Sequence, residues 1–304
     1  QPLFRRDRFI ALEQAGSEIK QAEAELIEAQ GELIIRIAER YFNILAKVDS
    51  LEFAQTEVKS LNRQLEQAKQ RFEVGLSAIT DVHEAQAGYD LAVAQKIQAH
   101  NAIDDSREAM RELTGEYIIE FNQLGESMSL VSPEPQAIEA WTQLSLDQNL
   151  GIIASSHAVE IAQKEVKRQS AERLPTLDLV AAETYDSSGG RFGSTKQHGT
   201  SIGIELNIPI YSGGLVSSQI REAHENYNIA IYSLERARRS AQRMTREAYL
   251  GVIYGISRVK ALKQAVVSSE AALEATKVGF DVGTRTAVDL VVSQRTTSEA
   301  RRNY

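Results

Sequence analysis

Arg71-Phe-Glu-Val-Gly-Leu-Ser-Ala-Ile-Thr-Asp-Val82 and Gly279-Phe-Asp-Val-Gly-Thr-Arg-Thr-Ala-Val-Asp-Leu290 are two versions of one passage, 208 positions apart. Phe72, Val74, Gly75 and Asp81 recur as Phe280, Val282, Gly283 and Asp289. The same offset carries Glu39 and Tyr41 onto Glu247 and Tyr249, and an offset one residue shorter carries Pro2-Leu-Phe4 onto Pro209-Ile-Tyr211. The chain reads as a tandem duplication, with a period far longer than the roughly 20–50 residues of a solenoid unit. The first repeat takes residues 1–148: the end of a strand, a long helical hairpin with its tip near 74–81, and an equatorial segment near 116–148. The second takes 149–304: a helix over 149–172, a β-hairpin over 174–211 and a long helical hairpin with its tip near 282–289. If the copies are equally long, about 60 residues precede Gln1 and at least about 17 follow Tyr304.

The passages leading into each Val-Gly pair are helical. Ile220, Ala223, Tyr227, Ala230, Leu234, Ala237, Ala241, Met244 and Ala248 alternate steps of three and four, the spacing of a heptad seam. Shifted back by the repeat they become Leu12, Ala15, Ile19, Ala22, Leu26, Ala29 and Leu33, all apolar. Neither run contains proline. A helix of about 65 residues would be about 100 Å long. The alanines, with Gly251 and Gly255, predict close helix approach, and the charges nearby place it in a bundle rather than in lipid. Return helices are expected over 80–113 and from 287 onward, the first stopped at Thr114-Gly115.

Between the hairpins the period drops to two. Ile202, Ile204, Leu206, Ile208 and Ile210 alternate with Ser201, Gly203, Glu205, Asn207 and Pro209. Leu177, Leu179 and Ala181 alternate with Thr176, Asp178 and Val180. The glycine-rich stretch from Asp186 to Gly199 reads as the connecting loop, with Tyr185 and Tyr211 as candidate interface anchors. This pattern suits a soluble hairpin with one buried face. It equally suits a barrel wall with lipid on one side and water on the other. One hairpin per copy makes four strands, and the smallest membrane barrels need about 8, so a barrel would require several chains in rotational symmetry.

Composition narrows the choice. The chain has 304 residues, 42% hydrophobic, and a net charge of −8. Wholesale disorder is excluded by that apolar share. The acidic balance argues against a nucleic-acid partner, which needs a basic face. No apolar run approaches the about 20 residues of a spanning helix. There is no cysteine, so thiol catalysis, thiolate metal sites and disulfides are all absent.

The Arg71–Val82 passage, Leu174-Pro-Thr-Leu-Asp-Leu179, Pro209-Ile-Tyr-Ser-Gly-Gly214 and Val282-Gly-Thr-Arg-Thr-Ala-Val-Asp289 together resemble the TolC-type outer-membrane efflux and type I secretion family. The resemblance covers essentially the whole chain. It implies a mainly α fold with a small β part: two tandem repeats of very long antiparallel helical hairpins forming an α-barrel, and strands for a trimeric outer-membrane β-barrel. It implies a homotrimer with twelve strands and twelve tunnel helices, an equatorial region near Pro133–Asn149, and docking to a periplasmic adaptor and an inner-membrane pump. The chain would then be a passive exit duct in the bacterial outer membrane, surrounded by its lipid and reaching into the periplasm.

The family gives the tips a role in closing the tunnel. The matching positions are Thr80 and Asp81 on the first hairpin and Arg285 on the second; an Arg–carboxylate contact is charge-assisted and directional. The family's aromatic partner is a tyrosine, replaced here by Phe280, which can pack but cannot donate. Of the family's two pore-lining aspartates, Asp289 matches the first, and Val292 stands at the second. A single ring of Asp289 carboxylates would favour cations. Val74, Gly75 and Leu76, with Val282, Gly283 and Thr284, resemble the tips that meet the adaptor.

Other readings of these residues stay open. Thr286-Ala-Val-Asp289 is a capping box, Asp81 and Asp289 both suit a helix's first turn, and Gly75 and Gly283 suit turns. A soluble, elongated coiled-coil scaffold or adaptor is the rival reading of the whole chain, although it has no use for the aliphatic alternation of 202–210. Catalytic, cofactor and metal sites are not expected. The five histidines show no ligand spacing, there is no phosphate-binding loop and no nucleophile elbow, and the carboxylates alternate with Lys and Arg as a solvated face does.

Overall fold

The computed structural model describes residues 1–124, 130–191 and 193–304. The elements run β1 (Pro2–Phe4), α1 (Arg6–Glu73), α2 (Ile79–Thr114), α3 (Ile138–Gln148), α4 (Leu150–Ala171), β2 (Thr176–Gly190), β3 (Gly193–Asn207), α5 (Leu215–Asp281) and α6 (Ala287–Asn303). The fold is mainly helical with a small antiparallel sheet, as expected. With no proline inside them, α1 and α5 continue for 68 and 67 residues. The exposed flank of α5 carries i,i+4 pairs such as Arg243–Glu247 at 2.6 Å and Arg239–Glu235 at 3.3 Å, each worth a few tenths of a kcal/mol. Contacts divide the chain into two units: Gln1–Gln30 with Ala137–Ala248, and Gly31–Gln136 with Tyr249–Tyr304.

In the first unit, α4 is fixed to α1 by a polar cluster. Lys164 Nζ donates to the Glu13 carbonyl at 2.8 Å and to Ser17 Oγ at 2.7 Å. Ser17, only 3% exposed, donates to Glu160 Oε2. His157 Nδ1 lies 3.3 Å from the same oxygen. The His157 bond, helped by Ser17, holds the Glu160 carboxyl below its usual range against the opposing effect of burial. A buried hydroxyl with partners on both sides costs little and fixes the register of the two helices. Asn149 ends α3 and caps α4, its side chain accepting from Ile152 N at 3.0 Å.

The two copies of the apolar stripe have different fates. On α5, Ala223 and Ala241 are buried and Tyr227, Ala230, Leu234 and Ala237 are partly covered, whereas Met244 and Ala248 at the end of the stripe are exposed. On α1, Leu12 is 74% exposed, Ile19 60% and Leu26 59%. The covered α1 positions are instead Ile10, Ser17 and Ala24. Both α1 sets repeat every seven residues, and a two-residue shift turns a helix by about 200°. So α1 has seams on two sides, and only one is filled within the chain. The periodicity marked the stripe but not which side would be covered.

The sheet order is β1-β2-β3, antiparallel throughout. Register pairs Leu177 with Leu206, Leu179 with Ile204 and Ala181 with Ile202, while Asp178 faces Glu205 and Val180 faces Gly203. Directly opposed residues share a face. One face is therefore aliphatic and the other carries carboxylates, glycine and hydroxyls. At the base, Arg5 grips Asp178 with Nη2 at 2.9 Å and Nε at 3.2 Å, and Leu179 N donates to the Gln1 carbonyl at 2.7 Å.

The connecting loop is much shorter than its composition suggested. Pairing continues through Asp186↔Gln197 and Ser187↔Lys196 to Gly190↔Gly193. Ladder bonds use backbone groups, which every one of these residues supplies, so polarity and glycine content did not end the strands. Phe192 lies outside the described residues. β3 stops at Asn207, before Pro209, which has no N–H for a ladder.

The second unit holds α2, α6 and the remainder of α1 and α5. Tyr41 donates to the Asn122 carbonyl at 2.6 Å and sets its ring against Phe121. Arg107 donates to the Ile119 carbonyl at 3.1 Å. These contacts hold the segment after Gly115 against the helices. Residues 125–129, in the expected equatorial segment, lie outside the described residues. Thr297 bonds to the Ser269 carbonyl and Arg301 to Glu270, pinning α6 to α5. Gln64 Nε2 donates to Gln294 Oε1, linking the two hairpins. Within the chain nothing approaches Gly251 or Gly255: a Cβ on either would meet nothing within 4 Å.

Candidate functional site

Both hairpin tips lie in the second unit, and the same backbone device makes both. Gly75 and Gly283 sit in the left-handed region at φ 73° and 79°. Gly75 N donates to the Phe72 carbonyl and Leu76 N to the Arg71 carbonyl. Gly283 N donates to the Phe280 carbonyl and Thr284 N to the Gly279 carbonyl. This is the paired six-to-one and five-to-two closure that ends a helix on glycine. Val74, Leu76 and Val282 are 68%, 72% and 68% exposed, and Thr284 is exposed as well. The tips thus present apolar side chains to solvent.

The return helices start differently. Thr286 N and Oγ1 each donate to Asp289 Oδ2 at 2.9 Å, and Asp289 N donates to Thr286 Oγ1 at 3.2 Å, a complete capping box. The Thr286 backbone bond, then its hydroxyl, then Arg285 nearby hold the Asp289 carboxyl below its usual range. At the first tip the N-cap is Ala78, which offers no side-chain bond. Asp81 is exposed there, as is Thr80.

A groove of about 480 Å³ runs between the two hairpins near the tips; Arg71, Leu76, Asp81, Phe280, Arg285 and Val292 are on its wall. Asp81 and Arg285 share the groove but form no ion pair within the chain. Thr80 is not on the wall. The Arg71 guanidinium lies 5.7 Å from the centre of the Phe280 ring, a cation–π contact. Phe280 therefore has a charged partner across the groove without a phenolic hydroxyl. Arg71 had no role in the reading of the sequence, although the repeat sets it opposite Gly279. Gln64 and Gln294 were also missed, because an uncharged side-chain pair between distant helices leaves no periodic signal.

The capping box makes a direct prediction. Thr286→Ala should weaken the start of α6 by about 1 kcal/mol, while Thr286→Ser should be nearly neutral, as read by amide exchange over 287–292. Asp289 carries a lowered pKa in the folded state. Its contribution is present above the unfolded carboxyl's range and disappears as pH falls through the lowered folded value. The difference between wild type and Thr286→Ala should shrink on acidification. An equal effect at all pH values would rule out the charge-assisted cap.

Among the described residues, no group of three or more His, Asp or Glu is placed to hold a metal ion. No described helix is long and apolar enough to cross a membrane.

The chain is similar to known proteins over most of its length. Residues 1–116 and 141–304 match the family model described as outer membrane efflux protein. The outer membrane protein TolC of Vibrio cholerae is 36% identical, over 100% of this chain and 70% of that protein. TolC of Escherichia coli is 34% identical, over 88% of this chain and 56% of its own length. Among solved structures, the outer membrane protein VceC of Vibrio cholerae superposes with a TM-score of 0.80 at 20% identity, over 98% of this chain and 71% of that one.

Proposed function

The chain belongs to the outer membrane efflux protein family and is an outer-membrane protein, and from that premise we propose that it is one protomer of a trimeric, passive export duct. The observation that carries this reading is the β2–β3 hairpin. Its aliphatic face is uncovered along β3, with Ile202 75%, Ile204 69% and Leu206 59% exposed, and partly covered at Leu177 and Leu179 on β2. Its other face carries Asp178, Glu205 and Ser201. Aliphatics facing lipid and polar groups facing water are the two sides of a barrel wall. Three strands among the described residues cannot close a barrel, so copies must complete it. The open seam of Leu12, Ile19 and Leu26 on α1 supports the same conclusion for the helices.

In this duct the hairpin tips form the periplasmic end. Arg285 of one protomer meets Thr80 and Asp81 of a neighbour, and these contacts hold the tunnel closed. Asp289 is kept ionised by its cap and contributes one carboxylate per protomer to a ring that favours cations. The exposed Val74-Gly75-Leu76 and Val282-Gly283-Thr284 turns meet a periplasmic adaptor. The inner-membrane pump supplies energy and selects cargo, so the duct needs no catalytic group.

The test is conductance of the complete gene product, extracted in detergent and reconstituted in planar bilayers. Small, cation-preferring currents are expected, and Asp289→Ala should remove the preference. A folded trimer that forms no channels would refute the duct, and unchanged selectivity in Asp289→Ala would remove the acidic ring.

A further inference from the structure

The two tips differ by a reciprocal exchange. The first has Arg71 in the last turn of its helix and Ser77 beyond the glycine; the second has Gly279 and Arg285 at the matching places. The structure shows the steric reason. A Cβ on Gly279 would stand 2.7 Å from Arg285 Cγ and 3.3 Å from Thr284 Oγ1. The Arg285 stem therefore lies flat on the end of α5, in space that any side chain at 279 would occupy. The backbone holds it there. The Gly279 carbonyl accepts from Thr284 N at 2.8 Å, Thr284 Oγ1 at 3.0 Å and Arg285 N at 3.1 Å. The carbonyl of Arg71 accepts only the first of these equivalents, from Leu76 N. Gly279 is helical, and its φ is outside the left-handed region that would itself require glycine. Its missing side chain is explained by the neighbour it admits.

We propose that Gly279 is a positioning residue that seats Arg285 on the wall of the groove it shares with Asp81 and Phe280. The seating stands on the geometry alone; its consequence for closure rests on the gating role proposed above. Glycine is otherwise a poor choice at a helical position. Replacement by alanine ordinarily favours the ordered state by roughly two- to fivefold. Here the gain should appear only when the Arg285 side chain is gone.

The experiment is a double-mutant cycle of Gly279→Ala and Arg285→Ala in the complete, reconstituted protein, with two readouts. The first is amide-exchange protection at positions 284 and 285, whose N–H groups bond to the 279 carbonyl. Gly279→Ala alone should lower protection severalfold, and in the Arg285→Ala background it should raise it roughly two- to fivefold. Equal gains in both backgrounds would overturn the seating. The second readout is single-channel conductance. Gly279→Ala should raise it towards the Arg285→Ala level and add nothing in the double variant. Non-additive protection with no change in conductance in any variant would leave the seating established and refute the gating role of Arg285.

Discussion

Ile204→Arg should abolish assembly into the outer membrane. Ile204 is 69% exposed in the middle of the aliphatic row and pairs with Leu179. An arginine facing lipid at the bilayer midplane costs about 2–4 kcal/mol per copy, and a symmetric trimer incurs it three times. The control is one residue away. Glu205 lies on the opposite face, against Asp178, and Glu205→Arg places the same side chain in water. The expected result is loss of trimer from outer-membrane fractions for Ile204→Arg and near-normal amounts for Glu205→Arg. Equal tolerance of both would mean that this face does not meet lipid, and the reverse pattern would mean that the faces were assigned the wrong way round.

The second large effect is expected from Arg285→Ser. Within one chain Arg285 and Asp81 make no ion pair, which leaves the arginine available to a neighbouring protomer. An exposed ion pair contributes up to about 1 kcal/mol. Three contacts related by symmetry act together, so removing them shifts the open-to-closed ratio by up to about a hundredfold. Single-channel conductance in planar bilayers should rise accordingly. Raised salt should move the wild type part of the way towards the variant, because exposed charges are screened over about 10 Å at 0.1 M. A trimeric Arg285→Ser protein with wild-type conductance at every salt concentration would remove Arg285 from the closure.

Much of the fold was legible because its signals are periodic. Steps of three and four without proline specify long helices, a Val-Gly pair followed by Thr-Ala-Val-Asp specifies a turn and a capped start, and strict alternation at 201–210 specifies a strand. The length of the β-hairpin was not legible. Composition describes side chains, whereas the ladder from Asp186 to Gly199 is made of backbone bonds. The candidate site was legible only in part. Residues in the repeated passage stood out by recurrence, and Asp289 by its spacing from Thr286. Arg71 over Phe280 and the link from Gln64 to Gln294 join helices far apart in sequence, and no local pattern records such a pairing.

By itself the sequence determined the duplication, the two long hairpins, both tips and the two faces of the strand, because each follows from local backbone preference and the spacing of apolar residues. Only the tertiary structure decided which copy of the apolar stripe is filled: Ala223, Tyr227, Ala230, Leu234, Ala237 and Ala241 are buried or partly covered within the chain, while Leu12, Ile19 and Leu26 stay open. It also decided that Gly279 gives way to Arg285. Both outcomes depend on what lies next to a residue in space, and two stretches with the same pattern can have different neighbours.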